Sequence, residues 1–218
     1  MIPVFNEEKK IGKVLREVRK ELPDCEVLVV DDGSTDRTWE IARDLGVRVL
    51  RHGKNLGKGE ALRTGIKNAR GDLILVIDGD GQFSVKDGKK LLKFLKDADL
   101  AIGKRDFGKM PLRHRLGNFL WRFFFNILFG TRFDDTNCGL FAFKRNVSEK
   151  LRVHGGYIVE NSVLASAVES GLKIVQVPVR VRYGKPSGTL RGLRMVLGVL
   201  VFIILEGIRF RFRSIRAS

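Results

Sequence analysis

Cysteine is scarce. The two present, Cys25 and Cys138, make neither a disulfide framework nor a metal-spaced pair, so a reducing compartment is the simpler expectation. Acidic side chains are outnumbered, 25 Asp plus Glu against 41 Lys plus Arg, which leaves a net charge of +16. Such an excess implies an anionic partner, and nucleic acid, an anionic membrane surface and phosphorylated small molecules share that sign. No recognised nucleic-acid-binding motif occurs, and the extra charge lies near the apolar segments and the tail, so nucleic acid is not the expected partner. The stretch Met1 to Glu8 has no basic segment followed by an apolar run. No secretory signal is therefore expected, and a cytoplasmic location is the simpler expectation. The Gly-x-x-x-x-Gly-Lys-[Ser/Thr] spacing of a Walker loop is absent as well. What is there, 44% hydrophobic and 30% charged residues, describes a globular chain with room for one substantial core and a short appendage.

The most informative stretch is Leu73 to Gln82, Leu-Ile-Leu-Val-Ile-Asp-Gly-Asp-Gly-Gln. An apolar run leads into two carboxylates spaced one apart, which reads as a buried strand with oxygen ligands at its carboxyl end. Gly79 and Gly81 let backbone and ligand approach, and Gln82 can add a neutral oxygen. Hard oxygens of this kind suit Mg²⁺ or Mn²⁺, with water and substrate phosphates completing the shell. The plain alternative is an acidic turn after a strand.

The same grammar of strand, acids, glycine and helix recurs upstream. Ile2 to Phe5 reads as the tail of a strand, with Asn6 as N-cap of a helix running from about Glu7 to Glu21. Glu26 to Val30 is a short buried strand that ends in Asp31-Asp32-Gly33-Ser34-Thr35-Asp36. A helix over Thr38–Leu45 and a strand over Val47–Leu50 follow, and the alternation predicts a mainly parallel α/β sheet flanked by helices. Asn55-Leu-Gly-Lys-Gly59 opens the helix Glu60–Ala69, and its backbone amides together with Lys58 suit a phosphate. A basic helix over Val85–Leu95 and a strand over Asp99–Gly103 lead to Arg105, Arg113, His114 and Arg115. From Phe119 to Phe129 the chain is apolar and rich in phenylalanine, which fits either core or a segment at a bilayer interface. Asp134–Leu140 is a polar loop, a helix enters at Glu160, and Ile174–Arg182 is a strand whose Pro178 places it at an edge or bulge. Arg182 and Lys185 close this part. The tail, residues 191–218, is basic and apolar: Leu193–Ile208 is interrupted by Arg194 and Glu206. As a helix of about 16 residues it reaches roughly 24 Å, short of a ~30 Å hydrocarbon core. It fits an in-plane helix at an anionic membrane surface, or a helix packed on the domain at 1–190.

Ile2-Pro-Val-Phe-Asn-Glu-Glu8, Val29-Val-Asp-Asp-Gly-Ser-Thr-Asp36 and Asp78-Gly-Asp80, in this order, resemble the family 2 glycosyltransferases of GT-A fold. Asn55–Gly59, Asp78–Gln82, Arg105 and Asp135-Thr-Asn-Cys-Gly139 are most similar to the branch of dolichyl-phosphate mannose synthases and dolichyl-phosphate glucosyltransferases. One departure is that only Met1 and Ile2 precede the proline, where such enzymes carry several apolar residues. The resemblance implies a hexose moved with inversion from GDP-mannose or UDP-glucose to a polyprenyl phosphate. It implies that Pro3, Phe5 and Glu7 line the pocket of the nucleobase and ribose, that Asp32 bonds the base, that Lys58 and Asp78 also bind the nucleotide, and that Asp78, Asp80 and Gln82 hold a divalent ion. Arg105, Arg113 and Arg115 are then expected to receive the lipid phosphate, with Arg182 and Lys185 covering the diphosphate. An acceptor that is already an anion needs no general base. An enzyme of the same family acting on a sugar hydroxyl needs one, for which Asp135 and Glu160 are available. A nucleotide-sugar-binding or nucleic-acid-binding protein without catalysis is the alternative of another class.

Overall fold

The computed structural model describes residues 1–110, 112–183 and 189–217. Strands β1 (Ile2–Val4), β2 (Leu28–Asp31) and β3 (Arg48–Arg51) are parallel, in the order β1-β2-β3. A second sheet has the order β4-β6-β5-β7, from β4 (Leu73–Val76), β5 (Leu100–Arg105), β6 (Phe141–Lys144) and β7 (Ile174–Val179). The two sheets meet at the chain start: Met1 N donates to Leu75 O at 2.8 Å and Ile77 N to Met1 O at 3.2 Å. β6 runs antiparallel to both neighbours, whereas β5 and β7 are parallel. Strand pairing is therefore mixed and mainly parallel: the parallel part is what the alternation predicts, and the antiparallel β6 is not. Pro178 sits on β7, at the edge of its sheet, where a residue without an N–H interrupts no ladder.

Helices α1 (Ile11–Glu21), α2 (Thr38–Asp44), α3 (Lys58–Asn68), α4 (Val85–Phe94) and α6 (Val159–Glu169) flank the sheet. On α1 the apolar residues Ile11, Val14, Leu15 and Val18 recur at helical spacing and all are buried. This helix starts later than the sequence suggests. Asn6 does not cap it but takes a left-handed conformation (φ 53°), and its side-chain oxygen accepts from Thr35 N at 2.9 Å. Ser34 Oγ accepts from Asn6 N, and Thr38 Oγ1 accepts from Glu7 N at 2.7 Å, so the loops after β1 and β2 are stitched together.

Two longer helices pack against each other at one side. In α5 (Leu112–Phe129) the phenylalanine-rich run divides by helical position: Trp121, Phe125 and Phe129 are buried, while Phe119, Phe123 and Ile127 are exposed. Core and surface are thus both present in that run. α7 (Thr189–Ala217) has 29 residues, about 43 Å at 1.5 Å per residue. It is longer than the tail helix read from the sequence, and it lies along α5. Val199 and Ile203 are fully buried, Trp121 Nε1 donates to Val196 O at 3.0 Å, and Phe129 stacks on Phe210 at 5.3 Å. Arg211 donates to the carbonyls of Ile127 and Leu128, satisfying the last turn of α5. Among the described residues no helix is long and apolar enough to cross a membrane.

Candidate active site

Parallel strands leave their carboxyl ends at one rim of the sheet, and the loops that follow meet there. β1 delivers Pro3, Val4 and Phe5, β2 delivers Asp32, and the stretch after β4 delivers Asp78, Gly79 and Asp80. With Glu7, Asn55, Gly57, Lys58 and Ala61 they line a cleft of about 300 Å³. Four sequence stretches separated by tens of residues therefore form one site.

Lys58, on the first turn of α3, is held between two carboxylates. Its Nζ lies 2.8 Å from Asp78 Oδ1 and 2.7 Å from Glu160 Oε1, at the start of α6. Burial pushes the Lys58 ammonium toward its neutral form, but the two carboxylates outweigh that and raise its pKa. Burial pushes Glu160 up, and the Lys58 charge and hydrogen bond bring it below the ordinary carboxylate value. Asp78 moves the other way: burial raises it, Lys58 lowers it, and the charges of Glu160 and Asp80 leave it raised. Two carboxylates share the ammonium and the charge of Asp80 lies nearby, so the site is short of positive charge.

A divalent ion fits that deficit. No three His, Cys, Asp or Glu side chains form a preformed metal cage among the described residues. Mg²⁺ commonly uses one or two carboxylates and takes its other ligands from water and substrate phosphates. Asp80 Oδ1 accepts from Gln82 N at 2.9 Å, which fixes the turn carrying both aspartates. Gln82 O in turn accepts from Arg182 N at 2.9 Å, and Phe83 bridges Val181, so the segment after β7 supports this turn. Arg182 itself is exposed; Lys185 lies outside the described residues. Gly139 packs directly on Asp78: a Cβ there would stand 2.5 Å from Asp78 Oδ2. Only glycine leaves that carboxylate its place.

Asp32 is buried in the floor and heavily engaged. It accepts from Leu56 N and Gly57 N, and His52 Nδ1 lies 2.7 Å from its Oδ1. This alters the reading of Asn55–Gly59 as a phosphate cradle. Two amides of that turn already serve Asp32, and Lys58 points its charge at Asp78.

Arg105, at the end of β5, is bound rather than free. Its Nε donates to Asp135 Oδ2 at 2.6 Å, and Nη2 donates to Asp135 Oδ1 and to Asn118 Oδ1. Burial opposes its charge, but the Asp135 hydrogen bonds and charge raise its pKa further. Among the described residues nothing accepts from Nη1, whose two hydrogens are left for another anion. Arg115 points elsewhere and donates to the carbonyls of Gly108 and Met110. The side chains of Arg113 and His114 lie outside the described residues. Glu7 lines the cleft while pairing with Lys10 at 3.0 Å. Sequence reasoning missed His52, Thr64 and Asn118. Only His52 carried a signal, its place just beyond the carboxyl end of a parallel strand.

Residues 1–152 match the family model described as glycosyl transferase family 2. An uncharacterised protein of Methanocaldococcus jannaschii is 37% identical over 95% of this chain and 91% of its own length. The UDP-N-acetylglucosamine–dolichyl-phosphate N-acetylglucosaminyltransferase of Methanococcus voltae is 30% identical over 93% of this chain and 92% of its own. Among solved structures, glucosyl-3-phosphoglycerate synthase from Mycobacterium tuberculosis in complex with Mn²⁺, UDP and phosphoglyceric acid superposes with a TM-score of 0.76. It is 25% identical, covering 94% of this chain and 76% of that one.

Proposed function

The chain belongs to glycosyl transferase family 2, and from that premise we propose that it moves a hexose from a nucleoside diphosphate sugar to a polyprenyl phosphate at a membrane surface. One observation carries this reading: Pro3, Phe5, Glu7, Asp32, Lys58, Asp78 and Asp80, the residues the family resemblance marks for the donor, line one cleft at the carboxyl ends of the strands. The name of the Methanococcus voltae relative, which pairs a nucleotide sugar with dolichyl phosphate, supports the substrate classes.

In this cleft Asp78 and Asp80 would hold Mg²⁺ or Mn²⁺, which when bound supplies Lewis-acid stabilisation of the diphosphate. Lys58 brings a permanent charge to the place where the leaving group becomes more negative. Arg105, oriented by Asp135 and Asn118, presents Nη1 to the acceptor phosphate. Asp135 and Glu160, the residues open to a general-base role, are each locked to a cation, Asp135 by Arg105 and Glu160 by Lys58. Glu160, held below its ordinary value by Lys58, is a weak base, and both oxygens of Asp135 are taken up by the Arg105 fork. That favours an acceptor that arrives already ionised over a sugar hydroxyl.

The outer faces of α5 and α7 support the membrane side. Leu116, Phe119, Phe123 and Ile127 on α5, and Leu197, Val201, Leu205, Ile208 and Phe212 on α7, are each more than two-fifths exposed. Steps of three or four residues place each set on one stripe of its helix. The neighbouring Arg122 lies over the rings of Phe107 and Phe119. Apolar stripes flanked by arginine suit the boundary of an anionic bilayer.

The deciding assay uses purified protein, Mg²⁺ or Mn²⁺, labelled nucleotide sugars and polyprenyl phosphate, scored for label in the organic phase. Label that appears only on a water-soluble sugar acceptor would favour the hydroxyl reading.

A further inference from the structure

The donor base remains to be chosen, and hydrogen-bond counting at Asp32 bears on it. This side chain is 4% exposed. Its Oδ1 accepts from Leu56 N at 3.0 Å and lies 2.7 Å from His52 Nδ1, and its Oδ2 accepts from Gly57 N at 2.7 Å. Two carboxylate oxygens offer about four acceptor positions. Among the described residues the protein fills three, and the fourth, on Oδ2, is left for whatever enters the cleft that Asp32 lines.

The position of His52 is itself determined. Its Nε2 lies 2.9 Å from Thr64 Oγ1 on α3, so the ring is gripped at both nitrogens. A carboxylate only accepts, which makes Nδ1 the donor to Asp32, while the Thr64 hydroxyl serves Nε2 as donor or acceptor. Removing this imidazole would return one acceptor position to Oδ1. The residue thus sets how many N–H groups Asp32 can take from a ligand.

We propose that His52, held by Thr64, is a positioning residue that sets base specificity: it leaves Asp32 one acceptor and so selects a nucleotide with a single ring N–H, as in uracil, over guanine. Guanine presents a ring N–H and an adjacent amino group side by side. Against one remaining acceptor, one of those two donors is buried without a partner, which disfavours GDP by about tenfold or more. The inference rests on the proposed reading of the cleft as a nucleotide-sugar site with the base at Asp32.

Calorimetric titration of the intact protein with UDP and with GDP, each with Mg²⁺ or Mn²⁺, tests it. Wild type is expected to bind UDP more tightly by that factor. In His52→Ala the GDP/UDP ratio should shift several-fold toward GDP, whereas His52→Asn, which retains a donor near the Nδ1 position, should keep most of the preference. A purely structural role would weaken both nucleotides alike and leave the ratio unchanged, which overturns the proposal. GDP bound as tightly as UDP by wild type also overturns it while leaving the glycosyltransferase reading intact. Binding of neither nucleotide overturns that reading as well. Should His52→Ala fail to fold, the wild-type ratio and Thr64→Val, expected to shift the ratio in the same direction by less, still decide.

Discussion

Gly139→Ala isolates the geometry of the proposed metal site from its chemistry, because it removes no functional group. The added Cβ would stand 2.5 Å from Asp78 Oδ2 and 3.3 Å from Lys58 Nζ. Ordinary contact begins at 3.4 Å, so the carboxylate must retreat by 0.9 Å, the difference between 3.4 and 2.5 Å. The backbone at 139 is not left-handed, so alanine meets no conformational penalty there and the clash is the whole effect. Overpacking of one methyl costs about 1–3 kcal/mol of stability, which the domain can absorb. Catalysis is less tolerant: a displacement of about 1 Å at a reacting centre lowers rate by roughly 10²-fold. The expected result is a folded variant with kcat/KM reduced by about that factor and a higher Mn²⁺ concentration at half-activity. Gly155→Ala is the matched control, since a Cβ there meets nothing within 4 Å. Its activity should stay within about twofold. Equal activity and equal metal requirement in Gly139→Ala and Gly155→Ala would refute the placement of Asp78 at the reacting diphosphate.

Asp78→Ala and Asp80→Ala should each abolish transfer with the fold retained by circular dichroism, and wild-type rates in either would remove the metal role. Chelation should stop turnover and added Mn²⁺ or Mg²⁺ restore it; activity undiminished by chelator counts against both aspartates. Lys58→Met leaves Asp78 and Glu160 facing each other and should cost about 3 kcal/mol at neutral pH. In wild type the lowered Glu160 contributes stability that is present above about pH 4.3 and lost as pH falls through its folded value. Without the ammonium both carboxyls rise, so the variant loses stability as pH climbs. Melting curves should therefore show a gap from wild type that widens from about pH 4 to pH 8, and a constant gap would contradict the triad. For the membrane face, Phe123→Asp combined with Val201→Asp should release the protein from anionic liposomes without lowering its melting temperature, because both side chains are exposed. Unchanged co-sedimentation would rule out this face.

The strand ends were legible because each pairs an apolar run with an abrupt change to acids and glycine, as at Val30-Asp31-Asp32-Gly33 and Ile77-Asp78-Gly79. What lies across the sheet was not. Nothing in Phe141-Ala-Phe143 states that β6 runs against its neighbours, since alternation of side chains is the same in both directions. The Arg105–Asp135 pair joins residues 30 apart, and His52 meets Asp32 across 20. Such pairings depend on which loops share a rim. A local motif carries no trace of them. Arginines 105, 113 and 115 look equivalent in sequence, and the structure separates Arg105, forked onto Asp135, from Arg115, spent on loop carbonyls.

Helix α5 links the two halves of the proposed reaction because its faces have different duties. Asn118 points inward and orients Arg105, while Leu116 and Phe119, two positions before and one after it, are exposed. A lipid phosphate reaching Arg105 would thus have its hydrocarbon tail beside an apolar stripe on the same turn of helix. α7 is needed to hold α5 in this attitude: Val199 and Ile203 are fully buried, and Gly207 packs so closely on Leu128 that a Cβ would stand 2.5 Å from it. Cutting the chain after Arg191 would consequently uncover Trp121 and Phe129 and disturb the domain itself. Loss of liposome binding in such a truncation would not report on membrane contact, whereas charges placed on the outward stripes leave the α5–α7 seam intact and do.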